Sequence, residues 1–210
     1  FVHRETLKKY EPKQFESLYA SLWTEKGTIV QAVFKGKLPV RKFETLTYVP
    51  YAEEYSDNSV EYNIWRSSGI EAVDGDVSLF TNHMKYMFPD EGERTIVYDY
   101  LSLIVQEPAV KIHFALLIRG AQGTGKSWIG SLIVKIIGKR NAVEPTNDAL
   151  ASKFTDWLEG SQVAIIHEMM MKGRMDVANH LKPVITEQYV RIEIKYLRPY
   201  EIVNRVNLLC

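Results

Sequence analysis

Residues 112–137 run through an apolar stretch, a glycine-punctuated turn and a second apolar stretch, and few folds accommodate that order. Ile112–Ile118 is almost unbroken in apolar residues, the pattern of a strand buried on both faces. The turn is Gly120-Ala121-Gln122-Gly123-Thr124-Gly125-Lys126-Ser127. Trp128–Ile137 follows as an apolar helix that Gly138 ends. A second buried strand is expected at Gln162–Ile166. Strand, glycine loop, helix and strand imply an α/β class with a parallel sheet.

The turn fills the pattern G-x-x-x-x-G-K-[ST]. Glycines let main-chain N–H groups curl around a phosphate where a Cβ would collide with it. The helix that starts near Lys126 adds the partial positive charge of its N-terminus. Gly120, Ala121, Gln122, Gly123, Thr124, Gly125, Lys126 and Ser127 are therefore the expected nucleotide-binding residues. Lys126 would reach the β- and γ-phosphates and Ser127 would ligate Mg²⁺, so ATP and Mg²⁺ are the expected cofactors. Such a site needs a carboxylate at the tip of a neighbouring strand, and Val163-Ala164-Ile165-Ile166-His167-Glu168 ends in one. Glu168 is the candidate water-activating base and a metal contact, direct or through water. His167 stands where a first acid is usual. It would position a phosphate or a water, or simply close the strand.

The remaining segments carry local signals. Residues 1–25 contain a helix-like stretch, residues 28–50 suggest short strands or hairpins around Gly27, Gly36 and Pro39, and residues 50–69 have the composition of a loop. Helices are expected from about residue 76, with Phe80, Met84 and Met87 on one. Thr95–Gln106 carries Val97, Leu101, Ile104 and Val105 on one face and stops before Pro108. Another helix is expected near Asp176–Lys182, and β-branched runs at Val190–Ile194 and Arg205–Leu209. The expected organisation is a linker or small accessory region over 1–70, a helical subdomain over 71–108 and an incomplete P-loop core over 109–210. Phe1 and Cys210 mark the expected ends of a fragment whose C-terminal part is cut off.

Of 210 residues, 46% are hydrophobic and 25% charged, which is ample for a core. The net charge is zero, yet residues 111–210 hold 14 Lys/Arg against 9 Asp/Glu, while residues 1–110 hold 12 against 17. A neutral total argues against a continuous nucleic-acid coat and permits a local basic stripe. A single cysteine, Cys210, leaves no internal disulfide framework and fits a reducing, cytoplasmic setting. No apolar run is long enough to span a membrane.

Tyr62–Arg66, Gly75–His83, Tyr98–Leu101, Val105–Pro108 and the loop itself, with Leu181–Glu187 and Ile192–Tyr196, together resemble the superfamily 3 helicase domain of phage and plasmid primase-helicase and primase-polymerase proteins. The resemblance covers about 150 of the 210 residues. It implies an AAA+-like P-loop NTPase core that forms a homo-oligomer, usually a hexameric ring, and moves along single-stranded DNA, typically 3′ to 5′, at the expense of ATP. A hairpin into the channel would bring Lys195 and Arg198 to DNA phosphates, with Lys182 a further DNA or subunit contact. The polar sensor and arginine finger of such a domain would follow Cys210. Two other readings remain: a nucleotide-dependent assembly module with little turnover, and a small-molecule phosphotransferase. The latter needs an arginine-rich lid, and residues 139–160 hold only Arg140.

Overall fold

Helix α5 (Lys126–Ile137) is the element around which the others are arranged. Gly125 precedes it with φ +96°, and Gly138 follows it with φ +87°, so glycines in conformations other residues avoid set both ends. The computed structural model describes residues 1, 10–23, 26–38, 40–56, 60–167, 175–195 and 198–210, with residues 175 and 176 by backbone alone.

Upstream lie α1 (Pro12–Tyr19), α2 (Ile29–Phe34), β1 (Thr45–Thr47), β2 (Glu61–Asn63), α3 (Ser78–Met87) and α4 (Glu91–Gln106). Downstream come β3 (Ala142–Val143), α6 (Asn147–Ala151), β4 (Val163–Ile165), α7 (Met175–Thr186), β5 (Tyr189–Ile192), β6 (Tyr200–Val203) and β7 (Asn207–Leu209). The central sheet is parallel, in the order β3-β4-β7. The chain at Leu116 extends it beyond β7 by a parallel bridge to Leu209. There Leu116 N–H donates to Leu208 O (3.0 Å) and Ile118 N–H to Cys210 O (2.7 Å).

Each face of this sheet carries a core. Val163, Ile165 and Leu209 pack with Ile129, Ile133 and Ile137 of α5, with Val97, Tyr100 and Ile104 of α4, and with Met84 of α3. Ala164, Ile166 and Leu208, the alternate residues of the same strands, pack with Leu150 of α6, Leu181 and Val184 of α7, and Val190 and Ile192 of β5. The period of two along β4 and β7 therefore divides a helix-covered face from a face closed by α6, α7 and the β5–β6 hairpin. Tyr100 ties α4 to the sheet by donating its hydroxyl to Leu208 O (2.7 Å).

Three expectations are corrected. Ile29–Phe34 form a helix, because Thr28 accepts Gln31 N–H as an N-cap and Ile29, Ala32 and Val33 bury one face at helical spacing. Residues 61–63 are strand, pairing in parallel with β1. Ile112–Ile118 is not buried on both faces: Phe114 is 51% exposed and Leu117 57%. Among the described residues this segment pairs with β7 alone and so lies at a sheet edge. The helices expected at 76–87, 95–106, 128–137 and near 176–182 are present. So is the buried strand at Val163–Ile165.

Candidate nucleotide-binding site

The loop Gly120–Ser127 leaves the sheet at the carboxyl end of the Leu116 segment and enters α5. Gly123 (φ +84°) and Gly125 (φ +96°) hold its left-handed bends. Among the described residues, the main-chain N–H groups of Ala121 to Ser127 make no hydrogen bond. The first intraloop main-chain bond is that of Trp128 N–H to Gly125 O (3.0 Å). Seven consecutive donors thus surround a helix N-terminus, the arrangement that binds anions. Lys126 folds over the loop, its Nζ donating to Ala121 O (2.6 Å) and Gly120 O (2.8 Å). Thr124 Oγ1 also donates to Ala121 O (3.0 Å). The ammonium is already at the mouth of the loop, and Ser127, at the first turn of α5, is exposed.

A cavity of ≈ 560 Å³ opens beside the loop, lined by Tyr86, Met87, Ile96, Leu117, Thr124 and Lys126 among others. Its walls join the end of α3, the start of α4 and the exposed edge segment to the loop. That is why Leu117 has no cover. A mostly apolar wall meeting a donor-rich loop suits a ligand with a flat ring at one end and phosphates at the other.

One residue to which sequence reasoning gave no role shapes the loop from outside. His83 of α3 lies against Gly125, where a Cβ would fall 2.4 Å from its Nε2. Its ring meets Trp128 edge-on at 4.8 Å, and Phe80 lies 6.1 Å from the same indole. Gly125 is therefore required twice, for its φ and for this close approach. The signal available was His83 at the end of the Gly75–His83 stretch, but nothing local connects it to a loop forty residues later.

The acid-bearing strand is not beside the loop strand, as expected. β7 lies between β4 and the Leu116 segment. Glu168 falls outside the described residues. His167, just beyond β4, pairs through Nε2 with Glu144 Oε2 at 3.1 Å, and both side chains are about half exposed. Glu144 follows β3 directly. Sequence reasoning missed it because a two-residue strand has no periodicity to mark its end.

The basic candidates lie elsewhere. Lys195 and Arg198 are exposed in the connection between β5 and β6, which pair antiparallel from Tyr189↔Val203 to Ile192↔Tyr200. Lys182 is exposed on α7. Trp65 and Tyr100 serve packing: Trp65 meets the Tyr51 ring at 5.1 Å with the two planes tilted by 57°, and Tyr100 is buried. Among the described residues no group of three or more His, Cys, Asp or Glu side chains could hold a metal ion unaided, and no helix is long and apolar enough to cross a membrane.

Comparison with known proteins bears on part of this chain. The model of a family of unknown function, DUF5906, matches residues 118–210. A DNA primase-polymerase of Nitratiruptor phage NrS-1 is 25% identical over 199 residues, 88% of this chain and 27% of that protein. One solved structure of the NrS-1 C-terminal region matches with a TM-score of 0.71 at 20% identity, over 94% of this chain and 47% of that one. Another matches with a TM-score of 0.65 at 22% identity, over 78% and 41%. The chain spans about a quarter of the curated relative it matches. It is homologous to part of a phage primase-polymerase and shares the mixed α/β fold of the NrS-1 C-terminal region.

Proposed function

We propose that this chain is the ATP-binding motor segment of a phage or plasmid replication protein, an AAA+-like P-loop ATPase that couples hydrolysis to movement along single-stranded DNA. The observation that carries this reading is the row of seven unbonded main-chain N–H groups at the start of α5, with Lys126 at its mouth. The row opens at the carboxyl ends of parallel strands, where open α/β sheets bind ligands. The β- and γ-phosphates would lie in this row, with Lys126 exchanging its loop carbonyls for phosphate oxygens. Ser127 and the phosphates would hold Mg²⁺, which supplies neutralisation of phosphate charge. The base and ribose fit the cavity beside Tyr86, Met87 and Leu117.

Coupling to DNA is supported by the β5–β6 hairpin, whose exposed connection carries Lys195 and Arg198. Positive side chains on such a tip bind backbone phosphates without reading sequence. The resemblance to superfamily 3 helicases adds a homo-oligomeric ring, with Glu168 as the water-activating base. The test is the ATPase rate with and without single-stranded DNA, beside K126A. Stimulation by DNA that K126A abolishes supports the motor. Nucleotide-dependent assembly without turnover would favour an assembly module instead, and absence of nucleotide binding would sink both.

A further inference from the structure

The Glu144–His167 pair stands at the carboxyl ends of two adjacent strands, on the side of the sheet where the phosphates would lie. Its position relative to Ser127 follows from one contact. Gly130 of α5 lies so close to β4 that a Cβ there would fall 3.0 Å from Ile165 Cγ2. From that crossing α5 runs back three residues, ~4.5 Å, to Ser127. β4, parallel to the Leu116 segment and so opposed to α5, runs on two residues, ~7 Å, to His167. Both displacements point to the same end of the sheet. Side-chain alternation gives the face: Val163 and Ile165 share a core with α5, and Ala164 and Ile166 share the other. His167 is next in the first set. Carried two residues past the end of β4, this alternation puts His167 on the face of Ser127, within a few ångströms of its level.

The tautomer is also fixed. A carboxylate has no proton to donate, so the 3.1 Å contact requires Nε2 to carry the hydrogen. With His167 neutral, Nδ1 is left as an acceptor. A carboxylate behind a histidine is how proteins orient imidazoles toward metal centres. A half-exposed contact of this kind adds little to folding, so stability does not account for it.

We propose that Glu144 and His167 together position the magnesium shell, His167 accepting a hydrogen bond from a magnesium-bound water through Nδ1 while Glu144 fixes the ring. His167 thereby occupies the strand-end place where an acid is usual. This rests on the nucleotide reading above. The pair cannot bind the ion by itself, since among the described residues no cluster of three ligating side chains exists. It acts on an ion already held by Ser127 and the triphosphate, and Mg²⁺ characteristically keeps several waters for such second contacts.

The experiment is a Mg²⁺ titration of the binding of a fluorescent, non-hydrolysable ATP analogue to the full 210-residue chain. H167A raises the half-saturating Mg²⁺ concentration about tenfold. E144Q shifts it the same way by less, and H167D returns it to near the wild-type value. Binding in EDTA, which reports the loop alone, is equal in all of them. Wild-type Mg²⁺ dependence in H167A and E144Q overturns the pair's role and leaves the nucleotide reading standing. Loss of all analogue binding in the wild-type chain overturns both. Because Glu144 is half exposed, E144Q decides the matter if H167A fails to fold.

Discussion

The two ends of the parallel sheet are built on opposite principles. At the amino ends of the strands, polar side chains are buried or half-buried and hydrogen-bonded to other elements. Asn141, 3% exposed, accepts from Tyr48 Oη (2.8 Å) and donates to Arg66 O and Ile137 O (2.7 Å each). Gln162 donates to Ile104 O (2.5 Å). Asn207, 1% exposed, accepts Ile112 N–H (2.8 Å) and donates to Val110 O (3.2 Å). Arg205 reaches Tyr48 O and Ala109 O. These bonds fasten Tyr48, Arg66 and the α4–Leu116 connection onto the sheet. At the carboxyl ends the polar groups are exposed: among the described residues the loop N–H row and the Ser127 hydroxyl make no hydrogen bond within the chain, and Glu144 and His167 pair with each other at the surface. Satisfied burial holds a fold, and unsatisfied exposure is what a ligand can use.

This division has its sharpest consequence at Lys126. K126A should remove nucleotide binding, a loss of about 2–5 kcal/mol, while stability falls by no more than about 1 kcal/mol, the net worth of the loop hydrogen bonds that its half-buried side chain gives up. Isothermal titration beside thermal melts checks both halves. A large drop in melting temperature would show that the carboxyl end carries the fold after all.

Asn207 should show the reverse. N207A leaves Ile112 N–H buried without an acceptor and Val110 O without its donor, costing about 2–3 kcal/mol. Urea denaturation should show a lower midpoint at unchanged slope. The protein that remains folded should bind ATP normally, and a selective loss of binding would break the division from the other side.

What was legible in the sequence follows the same line between local and distant. The loop, α3, α4 and α5 carry their own signals, glycine spacing, apolar periodicity and a Pro108 stop, although α4 begins at Glu91, before its apolar face, where Asp90 accepts Glu93 N–H as an N-cap. Helix α2 had such a signal in Thr28 and Gln31, but Gly27, Gly36 and Pro39 invite a hairpin reading that the Ile29, Ala32, Val33 spacing contradicts. The edge position of Leu116 was hidden because an apolar run does not say how many strands flank it. β7 lies between β4 and the loop strand although it comes last in the chain, and no local pattern reports strand order. His83 against Gly125 and Glu144 beside His167 join residues 42 and 23 positions apart. Half of the candidate site is a loop that sequence specifies, and half is a meeting of strand ends that only the fold specifies.

Lys111 offers a smaller effect at the locked end. Its ammonium donates to Val206 O (2.7 Å) and Ile112 O (3.0 Å), and burial lowers its pKa from 10.5 to about 8. The folded state therefore holds this proton less tightly than the unfolded one. The cost of keeping the charge is fully present below pH 8 and is relieved as pH rises from about 8 to 10.5, so this group makes stability increase with pH. Buried Cys210, raised to about 11, opposes it above pH 9. The difference between wild type and K111M isolates Lys111: the wild type should gain on the variant in melting temperature between pH 7.5 and about 9. A constant difference across that range would remove Lys111 from the account.

The smallest expected effect concerns the hairpin, where exposed charge is tied neither to the buried locks nor to the loop. Arg191 pairs with Glu193 at 3.1 Å, and Lys195 and Arg198 lie farther along the connection, both exposed. If they meet DNA phosphates, K195A and R198A should each weaken single-stranded DNA binding nearly equally for all sequences. Each should also flatten the dependence of log K on log salt by about one phosphate contact. Nucleotide affinity without DNA should not change, because neither side chain belongs to the loop or its cavity. Fluorescence anisotropy with a labelled oligonucleotide at several salt concentrations measures this directly. An unchanged slope in R198A and K195A would mean that the hairpin serves the packing of Val190 and Ile192 alone, and that a DNA path must be sought on another face of the sheet.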